Sequence, residues 1–205
     1  MDLLNVIAKL KNRQPSILGS EKFRKSAILL PLLEIDNEIH ILFEVRSMQM
    51  RSQPGDTCFP GGRIEPEDSG PLAGAIRETT EELGLPETAI QNIVPLDYIV
   101  SDSGRLIYPY AGILTQTDKL NPNPEEVGEV FTVPLEYLLQ TEPEVYKVNL
   151  QVIPEDNFPL DLIVGGENYN WQTRHVNEIF YRYDGKVIWG LTAKVLTHFL
   201  DLVRG

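Results

Sequence analysis

Cysteine is almost missing from this chain: Cys58 is the one such residue among 205. A lone cysteine excludes an intrachain disulfide and points to a reducing, cytoplasmic setting. The stretch MDLLNVIAKLKNRQPS lacks the long apolar centre of a signal peptide, and no segment approaches the roughly 20 apolar residues that span a bilayer. The expectation is a soluble protein with no membrane partner. Positive charge is in deficit too, with 18 Lys and Arg against 30 Asp and Glu and a net charge of −12. That balance argues against a broad nucleic-acid surface, so an anionic ligand must be met by local arginine, lysine or a bound cation. Internal repeats, low-complexity tracts and an obvious linker are also absent. A chain of this length, 42% hydrophobic, therefore predicts a single domain over residues 1–205, as monomer or homodimer.

What is present reads as strands interrupted by helices. Leu3, Ile7 and Leu10 recur at helical spacing, so residues 2–12 predict a short amphipathic helix inside an N-terminal extension, 1–25. SAILLPLLEI and EIHILFEVR flank Asp36-Asn37 and predict a hairpin, with Pro31 favouring an edge or a bulge in its first strand. Further strands are expected at 94–101, 105–116, 126–133, 145–153 and 177–183, with a Ser-Asp-Ser-Gly turn at 101–104. Leu72, Ala75, Ile76, Thr79 and Leu83 make an apolar stripe on a helix that starts near Asp68 or Ser69 and Pro71 and stops at Gly84-Leu85-Pro86. Pro134 opens a short helix to Leu139, and Ile188, Leu191, Val195, Phe199 and Leu202 mark a longer one. The expected class is α+β, an α/β/α sandwich with a central mixed sheet between helices. TQTDKLNPNPEE, 115–126, is the expected mobile loop.

On the central helix Glu78 and Glu82 are one turn apart, with Glu81 beside them, so three carboxylates share one region of surface. Like charges at that spacing repel unless a cation or a basic side chain neutralises them; Arg77, four residues before Glu81, is one such partner. Hard oxygen donors without nearby His or Cys favour Mg2+ or Mn2+ over Zn2+. A run such as RETTEE is more often a plain solvated face. The preceding Phe59-Pro60-Gly61-Gly62 shifts the balance, because its glycines permit positive φ and close approach to a ligand just before the acidic helix, within 55–85.

RETTEELGL, Arg77 to Leu85, resembles the core of the Nudix box, G-x5-E-x7-R-E-U-x-E-E-x-G-U with U aliphatic. Arg77, Glu78, Glu81, Glu82, Gly84 and Leu85 fall on the pattern, whereas Thr79 replaces an aliphatic. Anchored on Gly62, Asp68 takes the first glutamate position, and eight residues rather than seven separate it from Arg77. Upstream, Arg46, Ser47, Arg51, Gly55 and Phe59 to Gly62 resemble the extension of the coenzyme A pyrophosphatase branch, L-L-T-x-R-[SA]-x3-R-x3-G-x3-F-P-G-G, with Phe43 and Glu44 departing at its start. EEVGEVFTVPLEYLL and VIWGLTAKVL are similar to that branch as well, so the likeness covers most of 26–202.

The resemblance implies a metal-dependent hydrolase that splits coenzyme A or its thioesters into 4′-phosphopantetheine, or its acyl form, and adenosine 3′,5′-bisphosphate. It implies Glu78, Glu82 and Glu81 as ligands of Mg2+ or Mn2+, Glu81 or Glu126 as the base, and Arg77 as an orienting residue. Arg46, Ser47 and Arg51, with Gly61 and Gly62, are the expected substrate contacts, since guanidinium groups meet phosphate oxygens bidentately. Two rivals stand beside this: a Nudix hydrolase of ADP-ribose or another nucleoside diphosphate derivative, and a catalytically silent nucleotide-binding module. His40, His175 and His198 read as structural or solvated, Cys58 as a small packed residue, and Trp171, Tyr169 and Tyr108 as packing aromatics before they read as adenine platforms.

Overall fold

Asp36 and Asn37 both take positive φ, 51° and 65°, the conformation of a two-residue hairpin turn matched to strand twist. The computed structural model, which describes residues 2–101 and 104–205, places them between the expected strands. In chain order, helix α1 (Leu3–Leu10) precedes strands β1 (Arg24–Ile35), β2 (Glu38–Arg46), β3 (Thr57–Cys58) and β4 (Gly61–Arg63). Helix α2 (Pro71–Leu83) leads to β5 (Ile90–Pro95), β6 (Ile99–Ser101), β7 (Arg105–Leu114) and β8 (Val127–Pro134). Then come α3 (Leu135–Gln140), β9 (Glu144–Leu150), β10 (Arg174–Tyr183), β11 (Lys186–Trp189) and α4 (Gly190–Arg204). Backbone contacts divide the chain into two compact units, Met1–Leu29 with Pro60–Asn121 and Leu30–Phe59 with Pro122–Gly205. Strand β1 contributes a half to each.

In the first unit, the start of β1 pairs antiparallel with β4, Ala27 opposite Gly62. On its other flank lies β7, where the Arg24 N–H donates to the Gly104 carbonyl. Further along, a Cβ built on Gly112 would meet Leu29 Cδ1. Partners that advance together along both strands make this pair parallel, whereas β5 and β6 pair antiparallel with β7. The sheet is mixed. Helix α2 lies against β4 and β7, and Ala75, Leu83, Leu29 and Ala89 are all fully buried in this unit. Its C-terminus is closed by Gly84 at φ 65°, tight against the Asn121 backbone.

In the second unit, β2 pairs antiparallel with the second half of β1, with β3 and with β8. Phe43, fully buried, stacks with Phe59 and Phe131 at centroid distances of 4.9 and 5.4 Å. Strands β9, β10 and β11 form a separate three-stranded antiparallel sheet, and α4 packs on β10 and β11. The architecture is α+β, with helices laid on sheet in each unit.

Several expectations need correction. Pro31 falls in β1 where pairing with β4 over 26–28 gives way to pairing with β2 over 32–35, a gap between partners that suits a residue lacking an N–H. The strand expected at 94–101 starts at Ile90 and is broken after Pro95. That expected at 145–153 stops at Leu150, and that expected at 177–183 begins at Arg174. Ile188 belongs to strand β11, not to the last helix. Helix α2 is capped by Gly70, not by Asp68 or Ser69. Residues 102 and 103 of the expected Ser-Asp-Ser-Gly turn lie outside the described residues. The 115–126 segment is hydrogen-bonded along much of its length, with the Asn121 N–H on the Leu83 carbonyl and the Val127 N–H on that of Asn123.

Candidate functional site

The buried face of α2 keeps Ala75, Thr79 and Leu83 of the expected stripe but exchanges Leu72 and Ile76 for Gly74 and Glu82. Leu72 is 39% exposed, whereas Glu82 is 5% exposed; the inward set is Gly74, Ala75, Thr79, Glu82 and Leu83, still at helical spacing. A buried carboxylate needs compensation. Glu82 Oε2 receives it from the Gly61 N–H at 2.7 Å, offered by a glycine at φ 142°. Thr79, where an aliphatic was expected, is fully buried and returns its hydroxyl to the Ala75 carbonyl at 2.7 Å. That bond satisfies the one polar atom the substitution brings inside.

Gly62 is specified by Glu78. A Cβ there would stand 2.5 Å from the Glu78 carboxyl carbon, so only glycine lets this carboxylate lie over β4. Both members of the i, i+4 pair thus meet the two glycines that open β4, Glu82 at Gly61 and Glu78 at Gly62. Glu81 points elsewhere: it is 56% exposed and 3.1 Å from Arg77 Nη1. Among the described residues no group of three or more His, Cys, Asp or Glu stands close enough to hold a metal ion, so the three glutamates are not a ready-made cage. The donor chemistry nevertheless fits a hard divalent cation, because two carboxylates, one buried and one 18% exposed, converge on the glycines of β4 with no softer ligand beside them.

Arg77 organises this cluster. Its Nε donates to Asp68 Oδ1 at 3.0 Å and its Nη2 to Asp68 Oδ2 at 3.1 Å, a bidentate fork. The same guanidinium reaches Glu78 at 3.1 Å, Glu81 at 3.1 Å and the Arg63 carbonyl at 3.0 Å. Asp68 Oδ2 also accepts from the Glu65 N–H at 2.8 Å. Arg77, then the Glu65 amide, hold the Asp68 carboxyl below the ordinary carboxylate value, and the hydrogen bond to Asp68 is the chief cause that pushes Arg77 above its own. The role of Asp68 is therefore visible: across a spacing one residue longer than the family pattern, it still delivers its carboxylate to Arg77. Gly74 makes room, since a Cβ there would be 3.0 Å from Asp68 Oδ2. Asp68 and Arg77 were both marked in the sequence, the first by its place on the family pattern; Gly74 was not, and its signal was a glycine inside a helix.

A group whose folded pKa is depressed contributes stability above its unfolded pKa, and that contribution is lost as pH falls through the folded value. The Asp68–Arg77 pair is therefore present at neutral pH and is lost in acid below 3.8, the ordinary value for Asp68. Asp68→Asn is expected to flatten the stability profile in that acid range and to lower turnover roughly tenfold, the loss typical of a partner that orients metal-binding carboxylates. Urea midpoints against pH, beside steady-state rates, measure both.

The second unit holds the remaining predicted residues. Ser47 is 4% exposed and donates its hydroxyl to the Pro124 carbonyl at 3.0 Å, while its N–H donates to the Glu126 carbonyl at 2.8 Å. Its observed work is to hold the segment that carries Glu126, rather than to offer a hydroxyl to solvent. Glu126 is half-buried and accepts from Asn123 Nδ2 at 3.3 Å. Arg46 closes the 47–56 loop: its Nε donates to the Ser52 carbonyl at 3.2 Å and its backbone bonds Gly55 and Asp56. Arg51 on that loop is exposed. Cys58 Sγ lies 3.5 Å from Glu44 Oε1, as a packed residue within the strands. Tyr169 and Trp171 pack edge to face at 4.8 Å, His175 sits opposite Asn149 in a strand pair, and, in the first unit, Tyr108 packs against Tyr98 at 5.0 Å.

These features agree with the comparisons. The NUDIX domain model matches residues 22–155. A mouse protein, the peroxisomal coenzyme A diphosphatase NUDT7, is 40% identical over 131 residues, which are 64% of this chain and 53% of the mouse protein's length. The uncharacterized Nudix hydrolase NudL of Photorhabdus laumondii is 32% identical over 185 residues, 90% of this chain and 88% of that relative. A crystal structure of a MutT/nudix family protein from Enterococcus faecalis superposes with a TM-score of 0.52 at 14% identity, over 100% of this chain and 70% of that one, a likeness of fold alone. No described helix is long and apolar enough to cross a membrane. A Nudix box whose arginine and glutamates are built around the two glycines that open β4, a family model over most of the chain and the NudL relative together make the chain a member of the Nudix hydrolase family.

Proposed function

We propose that this Nudix protein hydrolyses the pyrophosphate linkage of coenzyme A or its thioesters, releasing 4′-phosphopantetheine, or its acyl form, and adenosine 3′,5′-bisphosphate. The observation that carries the reading is the 40% identity to a coenzyme A diphosphatase; it is supported by Arg46, Ser47 and Arg51 at the spacing of that branch. Glu78 and Glu82, with Glu81 adjoining, would hold a divalent cation, Mg2+ or Mn2+, which would supply Lewis acidity at the diphosphate and make a water more acidic. The chain's own residues do the rest. Arg77 holds Glu78 and Glu81 in place, and Gly61 and Gly62, without side chains, let Glu78, Glu82 and a phosphate oxygen come close together. Arg46 and Arg51 bind phosphate by charge-assisted hydrogen bonds, and Ser47 positions the segment of Glu126. Glu81 or Glu126 takes the proton of the attacking water. The whole chain acts as one hydrolase domain in a reducing compartment such as the cytoplasm.

The test offers the purified chain coenzyme A, acetyl-coenzyme A, ADP-ribose and NADH with Mg2+ or Mn2+, and separates the products by chromatography. Release of adenosine 3′,5′-bisphosphate, abolished by chelator, is the expected result. Turnover of ADP-ribose alone reassigns the substrate, and no turnover of any compound sinks the enzyme reading.

A further inference from the structure

The charge of this acidic chain is unevenly distributed. Residues 1–25 carry six basic side chains, Lys9, Lys11, Arg13, Lys22, Arg24 and Lys25, against Asp2 and Glu21, a local charge of +4; the other 180 residues hold 12 basic against 28 acidic, or −16. The same segment presents its apolar residues to solvent. Every residue from 2 to 18 is exposed, and α1 buries none of its side chains. Residues of a helix turn by about 100° each, so Leu3, Ile7 and Leu10 align, with Leu4 and Val6 flanking them, while Asn5 and Lys9 occupy the opposite side. Leu3 is 84% and Leu4 83% exposed, and Leu18, beyond the helix, is 91% exposed. A helix with this division has no reason to persist in water alone, because most helical stability comes from burying such a face.

We propose that residues 3–25 bind an anionic phospholipid surface, the apolar side of α1 entering the headgroup boundary and the basic residues beyond the helix, Lys11, Arg13, Lys22, Arg24 and Lys25, meeting lipid phosphates. The charge favours this occupant. A two-fold contact with a second copy juxtaposes the same patch from both subunits, and here it would bring two segments of +4 together. The apolar residues also continue past the helix to Ile17 and Leu18, interleaved with basic ones, which suits a flat surface more than a groove. The acidic remainder does not forbid the approach, since at physiological salt charges beyond about 8 Å are screened. Interfacial binding of this kind needs no spanning helix.

Flotation of the full chain with vesicles of phosphatidylcholine alone, and of phosphatidylcholine mixed with phosphatidylglycerol, measures it. The bound fraction is expected to be roughly tenfold or more higher on the mixed vesicles, and to fall as salt is added. Leu4→Asp with Ile7→Asp should reduce binding to the level on phosphatidylcholine, with the urea midpoint unchanged because no core residue is touched. Equal binding by the double variant and the parent, equal binding of the parent to both vesicles, or no binding to the mixed ones overturns the proposal. So does a parent that fails to float but sediments as a dimer that the double variant dissolves, since that outcome gives the face to a second copy.

Discussion

Glu82→Gln is expected to lower metal-dependent turnover on the order of a thousandfold, equivalent to about 4 kcal/mol of barrier, while the protein stays folded. Both halves follow from where Glu82 sits. It is 5% exposed on the packed face of α2, and its carboxylate accepts the Gly61 N–H at 2.7 Å. Glutamine has the same shape, and its amide oxygen can accept that same N–H, so β4 and the helix keep their contact. What disappears is the negative charge. Removing a buried charge relieves its desolvation, so the urea midpoint without metal should be unchanged or slightly raised. Removing it from the proposed cation site takes away a hard anionic ligand, for which a neutral amide is a poor substitute. Steady-state rates over a Mn2+ titration, with urea unfolding alongside, separate these effects. A variant that turns over like the parent would place the essential cation ligands away from this face of the helix.

Glu82 also marks how far the sequence could be read. The Nudix-box residues and the acidic helix were legible because each is a local pattern, carboxylates at i and i+4 and a Gly-Leu-Pro stop, whereas Gly61-Gly62, read as a turn, opens strand β4. Which face of α2 points inward was legible in part: Ala75, Thr79 and Leu83 are buried as the stripe predicts, whereas the burial of Glu82 and the exposure of Leu72 were not. Apolar content placed Leu72 inside, yet the packing of the helix is fixed by a carboxylate on a backbone N–H and by a glycine, Gly74, that admits Asp68. Polar burial of that kind depends on a partner 21 residues away, which no local periodicity reports. The second sheet is a different case. Asp184 and Gly185, both at positive φ, form the Asp-Gly pair that favours a two-residue hairpin, so β11 had a local signal. The apolar helix pattern running through Ile188 overlaps it, and the turn chemistry decides. Ser47 shows the limit for function: spacing places it beside two arginines, but only the coordinates show its hydroxyl committed to Pro124.

Arg77→Gln tests the electrostatic frame of the whole cluster, and it should cost roughly a hundredfold in kcat/KM, the upper range for loss of a residue that orients metal-binding carboxylates. The guanidinium reaches Asp68, Glu78 and Glu81, each at 3.0 or 3.1 Å. Glutamine removes the guanidinium whose hydrogen bonds hold the Asp68 carboxyl below its ordinary value. A depressed carboxyl stabilises the fold above its unfolded value, and the variant loses that contribution there. The stability gap between parent and variant is therefore expected to be open at pH ~7 and to close near pH ~3, below the ordinary Asp68 value of 3.8. Added Mg2+ should narrow the gap at the higher pH, because a divalent cation restores the missing positive charge by binding the folded state. Arg77→Lys retains charge but not the bidentate fork to Asp68, so it should recover most of the stability and less of the rate. Urea midpoints of the three proteins at both pH values, with and without Mg2+, decide the matter: a gap independent of pH and of Mg2+ would mean that Arg77 contributes through packing alone, and that the carboxylates on α2 do not share a common field.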